Sequence, residues 1–304
     1  MPASRSRTNE WRRCLQQIFE RGGAIEIAIA RPESTGNEPL LHVSGGDIVW
    51  RVRLLEMNDN EIVVEQPSAL GRSIDFAANL DMVGAIAIGQ NRWTFHTVHI
   101  GLVELRGPRP IRAMRLRMPD HVDRSVRRQL RVETAGLQLP QIEIWPLLDP
   151  KSVVVAERYN EVAFEASLNG ERYKEPTEPE AMMPTVGPLF HATLMNLGGG
   201  GMGLRVEPED SMYFNHHRVF WLRSVLKPEL DVPVVCTGKA VHTHIDSAMR
   251  TYVGIQFDFS FHPAHERFVA EQIRRYIMTQ QDLQQQAKKL IEESAKQAPK
   301  RKAA

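Results

Sequence analysis

The chain has 304 residues, 42% of them hydrophobic and 25% charged, with a net charge of only +1. That length suits two domains of ordinary size, each with a normal core. The near-neutral total excludes a global field drawing the whole molecule to nucleic acid or membrane, so any anion site must come from locally clustered charge.

At the start, MPASRSRTNEWRR is basic but has no apolar stretch behind it, and no run of about 18 apolar residues occurs anywhere. A cytoplasmic protein with no membrane span is expected. Trp11, Cys14, Leu15, Ile18 and Phe19 recur at helical spacing before Gly22-Gly23, which predicts a short amphipathic helix within residues 1–23. Cys14 and Cys236 are too few for a disulfide framework or a zinc set, and two reduced thiols are expected.

Alternation at Ile25, Ile27 and Ile29 predicts a strand. Strand-like runs follow at 40–43, 48–55, 62–64 and 83–88, the last meeting Trp93–Ile100 across Gly89-Gln90-Asn91 as a hairpin. Short strands with close turns predict a small β-barrel or sandwich over 24–105. Residues 106–131 then alternate breakers, Pro108, Pro110 and Pro119, with Arg112, Arg115, Arg117, Arg124, Arg127, Arg128 and Arg131. An arginine-rich linker is expected there.

A second β-domain is expected over 132–304, with strands near 141–145, 191–197, 202–206, 219–226, 234–242 and 251–259. Between the first two lies an acidic insert, 150–186, rich in glutamate and closed by Pro176, Pro179 and Pro184. It reads as a partly ordered, solvated excursion. Pro263 opens a long helix over 263–297, with Val269, Ile273, Tyr276 and Ile277 as the stripe that docks on a barrel. Leu283, Ala287 and Leu290 continue the spacing as a weak coiled-coil seam broken by Gln280, so a monomer or a weak dimer through this helix is expected.

Two constellations carry chemistry. Arg127-Arg128-Gln129-Leu130-Arg131 places guanidinium forks four residues apart. Such forks pair with phosphate oxygens, with guanine O6 and N7, and with the face of a base. The second is Asn196-Leu197-Gly198-Gly199-Gly200-Gly201-Met202-Gly203-Leu204. Its consecutive glycines let backbone N–H groups approach an anion. A strand rather than a helix follows, which excludes a dinucleotide fold, and no Lys-Ser/Thr pair follows, which excludes a P-loop.

Taken in this order, the two motifs resemble the signature of PilZ domains: an RxxxR cluster, a strand, then an (Asp/Asn)-x-Ser-x-x-Gly turn. Arg127 and Arg131 match the arginines, with Arg128 an extra neighbour, and Asn196 and Gly201 match the ends of the turn. Met202-Gly203-Leu204-Arg205 and Tyr252–Phe259 resemble the exit from the turn and the late strand that closes the site. The layout of an N-terminal β-domain joined through such a linker resembles the flagellar-brake type of receptor. The resemblance covers about 120–280 and implies a mainly β fold: a flagellar-brake-like barrel followed by a six-stranded PilZ barrel.

It also implies a bacterial receptor for cyclic di-GMP, with Arg127, Arg128, Arg131, Asn196, Gly198, Gly201 and Gly203 around the ligand. Such a receptor needs no catalytic residue, metal or cofactor, binds no DNA, and signals by domain rearrangement to a protein effector. Two departures are plain. Gly198 stands at the family's serine, and the acidic insert lengthens the stretch between the motifs. Three alternatives remain open: a PilZ-fold adaptor without nucleotide, an enzyme, and nucleic-acid binding through the linker. His216-His217, His242, His244, His262 and His265 lack HExxH or any other metal spacing, so surface or core histidines are expected.

Overall fold

The computed structural model describes residues 10–31, 47–88, 91–106, 110–125, 139–174, 182–198, 200–245 and 250–297. The strand expected over 40–43 lies outside these residues. Helix α1 (Glu10–Glu20) buries Trp11, Leu15 and Ile18 and ends at Gly22, whose φ of +59° suits a glycine cap. Strands β1 (Ala24–Ile29), β2 (Val49–Met57) and β3 (Glu61–Glu65) follow, then a small hairpin of β4 (Ser68–Ala69) and β5 (Arg72–Ser73). Next come β6 (Asp81–Ile88), β7 (Asn91–Leu105), β8 (Ile111–Arg117) and β9 (Asp123–Ser125).

The N-terminal strands close into an antiparallel ring in the order β1-β6-β7-β8-β3-β2, with β2 returning to β1. Alternation drives this closure: Val52 and Leu54 point into the barrel while Arg51 and Arg53 point out. Strand β8 falls inside the stretch expected to be linker. Its Met114 and Leu116 are buried, and its arginines face outward, Arg115 meeting Glu61 at 2.7 Å. The density of arginine hid a half-buried strand. Strand β9 also belongs to this side, pairing with β7 at Arg92–Thr94.

The C-terminal half contributes β10 (Gln141–Pro146), α2 (Val153–Leu168), β11 (Phe190–Gly198), β12 (Gly201–Val206), α3 (Tyr213–His216), β13 (Val219–Ser224), β14 (Val234–Ile245), β15 (Thr251–Phe257) and α4 (His265–Gln297). Six of these strands close a second antiparallel ring, β10-β13-β14-β15-β12-β11. The mainly β architecture of two barrels with a short first and a long last helix is therefore as expected. Among the described residues no helix is long and apolar enough to cross a membrane.

The acidic insert differs from its expected form. It contains helix α2, which lies on the barrel with Val153, Ala156 and Phe164 buried. Glu157, Asn160 and Glu161 are buried on the same helix, and Asn160 donates to the Pro233 carbonyl at 2.8 Å. Burial, with Glu161 and Asp258 nearby, pushes the Glu157 carboxyl up to about 8. An inward face built of glutamate and asparagine conceals helical amphipathicity from a hydrophobic count.

Helix α4 belongs to both barrels. Val269, Ile273, Tyr276 and Ile277 are buried in the common core. Its polar residues serve the N-terminal barrel. Gln281 Oε1 accepts from Ala77 N, and Gln284 Oε1 accepts from Asp81 N, each at 2.8 Å. Gln284 Nε2 donates to the carbonyls of Ala30 and Asp81 at 2.8 and 3.0 Å. Gln280 Nε2 donates to Glu229 and to the Tyr276 hydroxyl, and that hydroxyl also accepts from Ile48 N. Beside them Arg31 meets Asp47 at 2.6 Å and Glu229 at 3.8 Å. Gln280, read as a flaw in a coiled-coil seam, is thus used within the chain, while Leu283 and Leu290 stay exposed.

Replacing Gln284 leaves the Asp81 N–H and the Ala30 carbonyl without this partner. Gln284→Ala is expected to cost about 2–4 kcal/mol, since each buried group left unpaired costs roughly 1–3 kcal/mol. The shift of the urea midpoint measures it. A change under about 0.5 kcal/mol, the range of an ordinary surface substitution, shows that the helix does not clamp the barrel this way.

Candidate ligand-binding site

The glycine motif forms the turn between β11 and β12. Pairing runs from Asn196↔Gly203 to Gly198↔Gly201. The register shifts between Leu194 and Asn196, and such a bulge re-aims a side chain. Asn196 Nδ2 consequently donates to Glu26 Oε1 on β1, across the joint between the barrels, at 3.3 Å. One parallel bridge, Leu197↔Trp50, ties β11 to β2 at the same place.

A cleft of about 590 Å³ opens here. One wall is the N-terminal barrel at Glu26, Arg51 and Ala85. The other is the C-terminal barrel, where Asn196, Gly198, Gly201 and Gly203 meet His242, His244, Tyr252 and Gly254. That volume lies inside the range of small-molecule sites. His244 and Tyr252 stack at 5.2 Å with planes 14° apart. A second register shift, between Ala240 and His242 on β14, sets the His242 ring against Gly254.

One of the glycines, Gly201, is required by close approach to backbone. A Cβ on Gly201 would lie 2.0 Å from the Ile255 carbonyl oxygen, and one on Gly203 would lie 2.8 Å from Asn196 Oδ1. The wall on this side combines backbone at these glycines with the side chains of Asn196, His242, His244 and Tyr252. Charge is mixed on the other wall, where Glu26 and Arg51 are direct cross-strand neighbours.

Of the residues singled out from sequence, Asn196, Gly198, Gly201 and Gly203 line this one cleft. Arg127, Arg128 and Arg131 lie outside the described residues, as does Gly199. The described residues that flank the arginines are informative. Register matching runs Arg51↔Glu26↔Ala85↔Thr94↔Asp123 across β2, β1, β6, β7 and β9. Strand β9 thus sits two strands from the cleft residue Ala85, roughly 10 Å at the usual strand spacing. On the far side of the gap, Leu139 packs on Ala28, Ala30, Val49 and Val83, the same outer face that carries Glu26, Arg51 and Ala85. Glu26, Arg51, Ala85, His242 and His244 were missed as cleft residues. No motif marks them, because the joint between the barrels assembles them.

No family model matches the sequence, and no curated protein matches it. Several solved structures are similar. The inhibitor of motility MotI/DgrA from Bacillus subtilis is 12% identical with a TM-score of 0.28, over 84% of this chain and 96% of that one. The K. pneumonia MrkH–c-di-GMP complex is 12% identical with a TM-score of 0.27, over 92% and 95%. YcgR from Escherichia coli, in complex with c-di-GMP, is 11% identical with a TM-score of 0.28, over 91% and 92%. Overlaps this low do not bear on function, which rests on the residues of this chain.

Gly201 should respond differently from Gly254. A Cβ on Gly254 meets only the exposed His242 ring, at 2.0 Å from Cε1, and that ring can swing away. Gly254→Ala is expected to lower stability by less than about 1 kcal/mol, near the range of surface substitutions, while moving the His242 ring signals in NMR spectra. Gly201→Ala strikes backbone and is expected to cost about 1–3 kcal/mol. Equal unfolding midpoints for the two variants contradict this account of the turn.

Proposed function

We propose that the chain is a cyclic di-GMP receptor that binds the dinucleotide between the Arg127–Arg131 segment and the Asn196–Gly203 turn, and that it signals through the arrangement of its barrels rather than by catalysis. The observation that carries the reading is the shared cleft. The glycine turn lines it, and the flanking points of the arginine segment, β9 and Leu139, belong to the barrel that forms its other wall. A dinucleotide with two phosphates and two guanine edges matches guanidinium forks on one side. It matches peptide N–H groups and the Asn196 amide on the other.

In this reading Arg127 and Arg131 grip phosphate and guanine, and Arg128 assists. Asn196 is already shared between the barrels through Glu26, so a ligand that takes over its amide changes a contact across the joint. That is the differential interaction a population shift needs. A protein effector then reads the altered arrangement. Cys14 and Cys236 form no disulfide, which suits the reducing cytoplasm where such a receptor works.

One specific feature favours a second reading. Gly198 offers no hydroxyl, and the Glu26 carboxylate stands in the wall, so the cleft is less welcoming to a dianion than the motif alone suggests. A PilZ-fold adaptor acting only through protein contacts fits those residues.

Calorimetric titration of the whole chain with cyclic di-GMP separates the two, with GMP and cyclic AMP as controls. Saturable heat with cyclic di-GMP alone is expected. Arg127→Ala and Arg131→Ala should each weaken binding about 10–100-fold, the worth of a hydrogen bond to a charged group at roughly 1.5–3 kcal/mol. Wild-type affinity in both variants removes the arginines from the site, and no heat with the native chain leaves the adaptor.

A further inference from the structure

Away from the cleft, the molecule buries a second polar cluster where α2 meets the start of α4. Glu157 and Glu161 stand one turn apart on α2 and are 1% and 2% exposed. His265 opens α4 and is fully buried, and the His262 side chain just before it is 13% exposed. His262 Nδ1 lies 3.0 Å from Glu157 Oε2, and its Nε2 lies 3.7 Å from Glu161 Oε1. His265 Nδ1 lies 3.2 Å from that same Glu161 oxygen. Glu157, His262 and His265 offer ligand atoms all within 4.8 Å of one another.

His265 fixes where a lone pair must be. Its Nε2 is 3.0 Å from the Val235 carbonyl oxygen, which can only accept, so Nε2 carries the hydrogen. In a neutral ring Nδ1 is then bare, and it faces a carboxylate oxygen, another acceptor. Two acceptors this close need a proton or a metal cation between them. A proton shared between them is one answer; a metal ion is the other, and it keeps the ring neutral.

Two further contacts match a metal site. A ring N–H given to a backbone carbonyl is how metal-binding histidines are usually oriented, and Val235 does this for His265. The second oxygen of Glu161 is held by Arg158 at 2.8 Å, so the first is left aimed at the histidines. Zinc bonds to nitrogen and oxygen of about 2.0–2.2 Å in a tetrahedron separate the donors by roughly 3.3–3.5 Å. His262 presents one nitrogen to a metal; through Nδ1 it stands 3.0 Å from Glu157 Oε2, and His265 Nδ1 stands 3.2 Å from Glu161 Oε1, both near that value.

We propose that Glu157, His262 and His265 bind one divalent transition-metal ion of the zinc class, clipping α2 to the start of α4. Two imidazoles and a carboxylate suit zinc, with a fourth position open to the neighbouring Glu161 or to water, and cobalt is its spectroscopic stand-in. The role is structural, since α4 is the helix that holds the two barrels together.

The test uses the whole chain, stripped with a chelator and then titrated. Cobalt(II) should develop the intense visible bands of a four-coordinate site at one ion per chain, zinc(II) should displace it, and zinc(II) should raise the unfolding temperature. Glu157→Gln and His262→Ala, shown to be folded by circular dichroism, should weaken zinc binding at least about 100-fold, because even outer partners of a metal site are worth about 10–100-fold. Both should also lose the thermal shift. His216→Ala/His217→Ala, which alters a surface pair elsewhere, should bind as the native chain does. No stoichiometric binding, binding unchanged in the Glu157 and His262 variants, or binding lost with His216 and His217 each overturns the site and leaves a network of shared protons.

Discussion

The side-chain amides of Gln280, Gln281 and Gln284 reach from the C-terminal helix to groups at or beside the N-terminal barrel, and the rest of the molecule is arranged around that contact. The helix packs its apolar stripe into the C-terminal half and turns its polar stripe to the other half. Each amide bond is worth only about 1 kcal/mol net, yet each buried peptide group it serves would cost roughly 1–3 kcal/mol if left unpaired. The asymmetry makes this seating specific, because few other placements of the helix satisfy the same carbonyls and N–H groups. The Arg31–Asp47–Glu229 cluster lies at the same joint and adds a charge requirement to the geometric one. The direct links between the barrels at the cleft, one parallel bridge at Leu197↔Trp50 and the Asn196–Glu26 contact, are slight by comparison. The cleft exists because the helix brings the barrels close enough for β1 and β11 to face each other.

Much of this was legible in the sequence where side chains obey a single period. Ile25, Ile27 and Ile29 announce β1, and the stripe of Val269, Ile273, Tyr276 and Ile277 announces a docked helix. Legibility failed where polar residues occupy inward positions. Strand β8 was lost among arginines, though Met114 and Leu116 alternate correctly into the core. Helix α2 was lost because Glu157, Asn160 and Glu161 fill places that a hydrophobic count expects to be apolar. Gln280 read as a break in a coiled-coil seam because its partners, the Glu229 carboxylate and the Tyr276 hydroxyl, come together only in the fold. The glycine turn was legible as a candidate site, since close backbone approach leaves its mark in composition. Its opposite wall was not, because Glu26, Arg51 and Ala85 become neighbours only through strand register. The glutamates that meet His262 and His265 were hidden for the same reason: they sit about 100 residues away.

The chemistry of the cleft follows from what its glycines leave out. Side chains at Gly201 and Gly203 would strike the Ile255 carbonyl and the Asn196 amide. Their absence keeps two strands close and presents peptide edges to the open space. Among the described residues lining the cleft, the polar groups are an amide, a carboxylate, a guanidinium, a phenol and two imidazoles spread over both barrels. That set matches the chemistry of the proposed ligand, which has separated polar edges. It suits recognition across a joint better than bond-breaking at one atom, where a base and a nucleophile must meet within hydrogen-bond reach.

Strand β14 connects this cleft to the buried cluster behind the barrel. Near its start the Val235 carbonyl holds the His265 ring, and toward its end the bulge before His242 directs that ring to the cleft. Between them stands Gly238, where a Cβ would lie 2.4 Å from Ile255 and 2.8 Å from Leu222, so the strand is packed without slack. Seating of α4 and the shape of the cleft therefore meet on one strand. A ligand that alters the angle between the barrels has to work against the glutamine contacts as well as its own desolvation. It can do so only to the extent that it binds the altered arrangement more tightly than the resting one.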